Sequence, residues 1–405
     1  MKRIKLSEIV FNILFILFIR VPKKERIIMV EEVYLDNSAT TKVSQAASDM
    51  VCHMLVSNYG NPSSLHSKGL QAQHSVENAR QTVATALGAN EREIFFTSGG
   101  TEANNMAVIG TALCKKKTGN RIVTSAIEHS SVLEACKYLE SVGFEVVYVP
   151  VDEEGIVQLT AFEEAINENT ILVSLMYVNN ETGAIQPVEK ISRIIKRKSS
   201  PAVFHIDAVQ AFGKIPFKNT KLKADLISVT AHKIHGPKGV GALYIKKGVR
   251  IIPRQYGGEQ QYKIRPGTEP APLICGFGKA VEEIDYTVNQ KVKDINLYLR
   301  QQLKTLDGVV INSADNALEY IVNFSVTGIR SETMLHYLAE NGIYVSSGSA
   351  CAKGKQSYVL TAMGLSKTLT DSAIRVSFSK YNTKDDVDRL VNAINNGINS
   401  LVRIN

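Results

Sequence analysis

Lys233 stands in Thr230-Ala231-His232-Lys233, directly after a run of strand-forming residues and ahead of Gly236-Pro237-Lys238-Gly239. A primary amine at a strand end, before a Gly/Pro-rich turn, is badly placed for a solvated surface lysine. It is well placed to form an imine with an aldehyde held at a sheet edge. Taken alone, it still reads as a loop lysine. A second cluster, His205-Ile206-Asp207-Ala208-Val209-Gln210, ends another apolar run in a carboxylate. Asp207 could pair with a protonated pyridine nitrogen and keep such a ring an electron sink, or simply cap the next helix. Gln210 could hydrogen-bond the phenolic oxygen of that ring, and so could Asn180 in Val178-Asn179-Asn180-Glu181-Thr182-Gly183.

Thr97-Ser98-Gly99-Gly100-Thr101-Glu102-Ala103-Asn104 reads as strand, glycine pair, hydroxyl and helix. Free backbone N–H groups at Gly100 and the helix dipole can bind a phosphate there, with the Thr101 hydroxyl as a further donor. The pattern is neither G-x-G-x-x-G nor a P-loop. Thr230 and His232 would add donors to the same phosphate. Glu128-His129 follows a fourth apolar run, and an imidazole there could stack on the ring and carry protons near neutral pH, or be structural. His232 and His235 form an H-x-x-H, but no further ligands join them and no resident metal is expected. The fifth cluster, Ser346-Ser347-Gly348-Ser349-Ala350-Cys351-Ala352-Lys353-Gly354-Lys355, carries one thiol in a loop of small residues flanked by two lysines. That composition favours exposure, and the positive charge favours the nucleophilic thiolate.

The elements that must position these residues follow from the apolar pattern. Ile94–Thr97, Ile122–Ser125, Glu145–Val149, Ile171–Val178, Val203–Asp207 and Leu226–Thr230 are short runs rich in Ile, Val and Phe. Segments of helical length lie between several of them, such as Ser131–Ser141 and Val188–Lys198. That alternation predicts an α/β fold with a mostly parallel sheet covered by helices, whose ligands bind beyond the carboxyl ends of the strands. Gly276–Leu306 reads as one long helix. Tyr320–Val326 and Ile343–Ser347 read as strands, and Ser331–Glu340 and Lys384–Val402 as helices, giving a second, smaller α+β unit that starts near residue 285.

A chain of 405 residues fits two domains, and 44% hydrophobic with 21% charged residues is ordinary for a globular protein. The net charge of +8 is concentrated at the N-terminus. Residues 1–28 carry seven Lys/Arg against two Glu, and the rest holds only +3. No basic run resembles a nucleic-acid-binding arm, so direct nucleic-acid binding is not expected. The five cysteines, Cys52, Cys114, Cys136, Cys275 and Cys351, are widely spaced with no Cys-x-x-Cys, which fits a reducing cytoplasm. A lone cysteine is ordinarily a small buried hydrophobe. Ile9–Ile19 is an apolar run too short for a membrane span of ~20 residues, and no cleavage site follows it. Met29 is expected to be the functional start, with a weak membrane-surface anchor in residues 1–28 as the alternative.

The set Thr101, His129, Asn180, Asp207, Gln210, His232 and Lys233 closely resembles the class V aminotransferase group of fold-type-I pyridoxal-phosphate enzymes. Within that group the chain is similar to the cysteine desulfurases. The resemblance runs from Tyr34 to the C-terminal helix and includes Leu35-Asp36-Asn37-Ser38-Ala39-Thr40-Thr41 and Gly60-Asn61-Pro62-Ser63-Ser64. It implies a seven-stranded, mostly parallel sheet in a large domain over 46–285, and a small domain over 286–405 bearing the Cys351 loop. An arm over 29–45 would join the small domain. It implies pyridoxal 5'-phosphate held through Gly100, Thr101, Asn180, Asp207, Gln210, Thr230, His232 and Lys233. It also implies catalysis by Lys233, His129 and Cys351, and substrate binding by Arg375 and Asn37. L-cysteine would become L-alanine, with the sulfur carried as a persulfide on Cys351 to an iron–sulfur scaffold or a tRNA-thiolation enzyme. Thr268 would reach the phosphate of a neighbouring subunit, which implies a homodimer. Transient iron–sulfur ligation by Cys351 is the one metal contact left open. Between Cys351 and Ser357-Tyr358-Val359-Leu360 the loop is shorter than in the family's best-known branch, which bears on which acceptor takes the sulfur. A selenocysteine lyase or another class V enzyme is the alternative activity; a non-enzymatic binding subunit is disfavoured because Lys233, Asp207 and the phosphate turn are all present.

Overall fold

The computed structural model describes residues 32–198, 200–347 and 356–402. The expectations about Met29 and residues 1–28, and the loop bearing Cys351, lie outside these residues. From Val33 onward the chain folds as one compact unit. Its strands, in chain order, are β1 (Val33–Tyr34), β2 (Ile94–Thr97), β3 (Arg121–Ser125), β4 (Glu145–Val149), β5 (Thr170–Met176), β6 (Val203–Asp207), β7 (Leu226–Thr230), β8 (Gly241–Ile245), β9 (Val309–Ile311), β10 (Ile321–Val326), β11 (Ile343–Tyr344) and β12 (Ala373–Ser377).

β5, β6 and β7 are buried along their whole length. Continuous apolar strands of this kind need cover on both faces, which is why they occur in parallel sheets flanked by helices. They form the centre of a seven-stranded sheet ordered β2-β8-β7-β6-β5-β3-β4. All neighbours run parallel except β8, which is antiparallel to both β2 and β7. The carboxyl ends of β2, β3, β5, β6 and β7 therefore share one edge. β8 was not legible as a strand, because Gly-Ala-Leu-Tyr-Ile follows a Gly/Pro-rich turn and gives no clear alternation.

A three-stranded antiparallel sheet, β12-β10-β9, forms the smaller layer. β1 pairs in parallel with β11, and Asp36 bridges Ser377 of β12. The last helix, Lys384–Ser400, begins with a capping box in which Thr383 and Asp386 satisfy each other's backbone N–H groups. The long helix expected over Gly276–Leu306 is two helices, Ala271–Glu282 and Asn289–Leu303. Asp285 breaks it: its backbone is extended and its carboxylate accepts from the Thr287 N–H and hydroxyl, offering the chain a turn in place of helix. The strand expected over Ile343–Ser347 shrinks to two residues, with Ser346 bridging Arg375 beyond it.

Candidate active site

The strand ends on the shared edge surround a cavity of about 450 Å³. β2 ends at Thr97 and the helix Gly100–Lys115 begins three residues later. Gly99 takes φ 150 and ψ −175, a region open almost only to glycine, and this turns the helix N-terminus toward the cavity. A Cβ at Gly100 would meet Val209 Cγ2 at 2.8 Å, so only glycine allows the close packing there. Thr101 follows on the cavity wall, and Thr230 closes the same side with its hydroxyl donating to Val240 O at 3.1 Å.

Lys233 closes the short 3-10 turn that follows β7, and its Nζ donates to the carbonyls of Ser38 and Ala39, the latter at 2.7 Å. Asp207, buried at the end of β6, accepts from the Asn104 amide at 2.7 Å and from Val209 N at 3.0 Å. Asn104 also donates to Ser131 Oγ at 2.9 Å, and Ser131 contacts His129 Nδ1 at 2.8 Å. The Ser131 backbone N–H donates to that same Nδ1. Nδ1 is therefore the acceptor nitrogen, and the neutral ring carries its proton on Nε2. Burial lowers the His129 imidazole below its usual range, the Asp207 charge opposes this, and Lys233 adds to the lowering. Burial thus favours the neutral ring against the Asp207 charge, while the chain from Asp207 through Asn104 and Ser131 fixes its tautomer and orientation.

Burial, reinforced by Lys233, Lys238 and Lys214, pushes His232 down to about 3, so it faces the cavity as a neutral ring with Nδ1 at 3.3 Å from Thr40 Oγ1. Gln210 donates to Ser38 O at 3.0 Å. Asn180 lines the opposite wall, and its Oδ1 is buried without a hydrogen-bond partner among the described residues. Arg375, on β12 and only 2% exposed, donates to Asn180 O at 3.0 Å and pairs with Asp36 at 2.7 Å.

Two expected residues fall elsewhere. Asn37 is buried beside the cavity rather than in its wall, its amide donating to Ser377 O at 2.9 Å; it braces the arm that carries Asp36. Thr268 is exposed, outside the cavity of its own chain, on a segment tied back to the helix Gly100–Lys115 by Arg265–Glu102 at 2.9 Å. Cys351 lies outside the described residues. Cys136 and Cys275 are buried, with thiols pushed up to about 12 by burial, while Cys52 and Cys114 are exposed, contrary to the expectation for lone cysteines.

Several site residues had no role in the sequence reading. Asn104 follows Gly100 and Thr101 at helical spacing, a detectable signal. Asp36 and Glu128 were quoted within motifs, but only tertiary structure pairs Asp36 with Arg375 or buries Glu128. Glu128 Oε1 accepts from Ser125 and, at 3.0 Å, from Met176 N, which joins the ends of β3 and β5 beneath His129. Glu181 accepts from the Ser357 hydroxyl, and the Tyr358 hydroxyl donates to Glu128 O at 2.6 Å.

This arrangement, an amine, a neutral imidazole and a carboxylate at the carboxyl edge of a mostly parallel sheet, has counterparts among known proteins. The class V aminotransferase family model matches residues 33–390. This chain belongs to that family. A cysteine desulfurase IscS of Dictyoglomus turgidum is 40% identical over 380 residues, covering 92% of this chain and 96% of the relative. A cysteine desulfurase IscS of Methanosarcina thermophila is 42% identical over 368 residues, covering 89% and 91%. A solved NifS-like protein superposes with a TM-score of 0.87 at 40% identity, covering 91% of this chain and all of that one. Within the family the chain stands with the cysteine desulfurases, and it is an enzyme.

Proposed function

We propose that this enzyme uses pyridoxal 5'-phosphate to convert L-cysteine to L-alanine, passing the sulfur through a persulfide on Cys351. The observation that carries the reading is the convergence of Lys233, Asp207, His129 and Arg375 on one cavity. The donor set fits the cofactor. A glycine-lined helix N-terminus with Thr101 suits a phosphate, Asp207 suits a protonated ring nitrogen, and the partnerless Asn180 side chain faces the same space.

When bound, pyridoxal phosphate supplies an aldehyde for Lys233 and a ring that takes up the charge left as a proton departs from the substrate Cα. The protein's own contributions are specific. The N–H groups at Gly100 and Thr101, with Thr230 and His232, would hold the phosphate. Asp207, fixed by Asn104, would keep a proton on the ring nitrogen. Gln210 and Asn180 would serve the ring's phenolic oxygen. Lys233 would carry protons at the substrate carbon, whereas His129, with Nδ1 engaged by Ser131, would offer Nε2–H to the ring. Arg375, aimed by Asp36 and Asn180, grips the substrate carboxylate through two N–H groups. The Cys351 thiolate then attacks the substrate sulfur. An S–S bond forms, the Cβ–S bond breaks with its electron pair on carbon, and protonation of Cβ together with return of a proton to Cα yields alanine.

The reading includes a homodimer in which Thr268 serves the neighbouring subunit, which its exposure outside its own cavity supports. The sulfur acceptor is an iron–sulfur scaffold or a tRNA-thiolation enzyme, and the compartment is the cytoplasm, in keeping with the four cysteines among the described residues, which are free. Among the described residues no helix is long and apolar enough to cross a membrane. Incubation with L-cysteine without reductant, followed by peptide mass spectrometry, tests the carrier. The Cys351 peptide should gain one sulfur atom, and an unmodified peptide alongside alanine release would contradict the assignment.

A further inference from the structure

Lys214 is 5% exposed, yet its Nζ meets no carboxylate among its hydrogen-bond partners. It donates instead to Gln210 Oε1 at 3.1 Å and sits 5.8 Å from the centre of the Tyr320 ring. A buried ammonium without an ion-pair partner is costly, and such groups are retained where they act. An ammonium can only donate, so its contact identifies the Gln210 oxygen as the end turned toward Lys214. The Gln210 Nε2 is thereby turned the other way, where it donates to Ser38 O at 3.0 Å. That carbonyl also accepts from Lys233. One chain of hydrogen bonds thus runs from Lys214 through the Gln210 amide and the Ser38 carbonyl to the amine of Lys233.

We propose that Lys214 is a positioning residue that locks the Gln210 amide with its N–H groups toward the cofactor cavity, and so tunes the imine-forming Lys233. The inference rests on the cofactor reading above. Lys214 contacts none of the reacting atoms; it acts through Gln210. Without it the amide is oriented by the Ser38 carbonyl alone, and the donor facing the ring oxygen is lost for part of the time. A donor there favours the ring's phenolate and so favours deprotonation of the neighbouring imine. Removing the donor, and removing a positive charge, both make the imine hold its proton more tightly.

The charged and titratable groups around Lys214 bear on its own proton. Lys233, His235, Glu283, Asp285, Tyr320 and Lys380 line the small cavity beside it. Burial first, then the charges of Lys233 and Arg375, lowers the Lys214 ammonium to about 7. The clamp is accordingly strongest in the acidic half of the working range.

The test is a pH titration of the visible absorbance of the purified holoenzyme, which needs no turnover. In Lys214→Met the midpoint should rise by about 0.5 pH unit or more, with Lys214→Arg lying between it and wild type. In a Gln210→Leu background, Lys214→Met should move the midpoint by less than half as much, because the amide it acts through is gone. An unchanged midpoint in Lys214→Met, with near-native circular dichroism, overturns the proposal. So does a shift of full size in the Gln210→Leu background, which would make Lys214 a remote charge only. Should Lys214→Met fail to fold, Lys214→Gln is read in its place by the same criteria. Wild-type protein with no visible band would instead contradict the cofactor reading itself, so the two failures are distinct.

Discussion

Ser346 and Arg375 exchange both backbone hydrogen bonds, Ser346 N to Arg375 O at 3.1 Å and Arg375 N to Ser346 O at 2.6 Å. The residue whose guanidinium reaches the cavity is therefore also the residue that anchors the chain running on toward Cys351. If Arg375 grips the substrate as proposed, that grip and the root of the thiol-bearing segment share one strand position.

Arg375→Lys keeps the charge but loses the planar fork that donates to Asn180 O and Asp36. We expect KM for L-cysteine to rise about 10–100-fold, with a smaller fall in kcat, because the contact is made in ground and transition states alike. Steady-state kinetics check this, and an unchanged KM would remove Arg375 from the carboxylate site.

Lys233 Nζ donates to the carbonyls of Ser38 and Ala39 beside the cavity, neutral acceptors that an aldehyde would replace. Borohydride reduction of the holoenzyme should fix the cofactor's mass on the peptide containing Lys233. Lys233→Ala should acquire no such adduct, and an adduct on another lysine in the wild type would refute the assignment.

His129 is half-buried, and desolvation lowers its imidazole below the usual 6.5 despite Asp207 opposite. The neutral ring therefore persists to lower pH than an exposed histidine would allow. We expect the acid-side fall of kcat/KM due to this group to lie below pH 6.5, and His129→Gln to lower kcat by about 10²–10⁴. An acid limb at or above 6.5 that vanishes in His129→Gln would contradict the environment described.

Glu128 is fully buried, and burial chiefly, with the Asp207 charge adding, pushes its carboxyl up to about 8, against the pull of Ser125 and Met176 N. An unfolded carboxyl titrates near 4.5. Between those values the unfolded chain releases a proton that the folded chain keeps, so this group's contribution to stability falls as pH rises through the window. Glu128→Gln carries no such proton. Its melting temperature relative to wild type should therefore climb by a few degrees from pH 5 to pH 8. Parallel pH dependence in the two proteins would contradict the buried neutral acid.

Four of the five chemical clusters meet at the cavity, and they were legible because strand ends are marked locally; the Cys351 loop lies outside the described residues. Apolar runs stop, and a Lys, Asp, Gly pair or His stands at the stop. The parallel sheet was legible for the same reason, since β5, β6 and β7 are apolar throughout. β8 was not, because an antiparallel strand inserted among parallel ones has no alternating helix to announce it. Asp285 hid the break between two helices, since its turn depends on a side-chain hydrogen bond that periodicity does not register. Asp36 and Glu128 escaped because their contacts span 339 and 48 positions of sequence, and Lys214 because its role arises from burial. A lysine four residues after a glutamine looks like an ordinary solvated helix pair until both are buried.

The central claim is that this cavity desulfurates L-cysteine through a thiolate at position 351. Purified holoenzyme mixed with L-cysteine and a thiol reductant should release alanine and sulfide in equal amounts, and Cys351→Ser should release neither at more than a small fraction of that rate. Wild-type protein that makes neither product, or a Cys351→Ser variant that makes both at the wild-type rate, would contradict it.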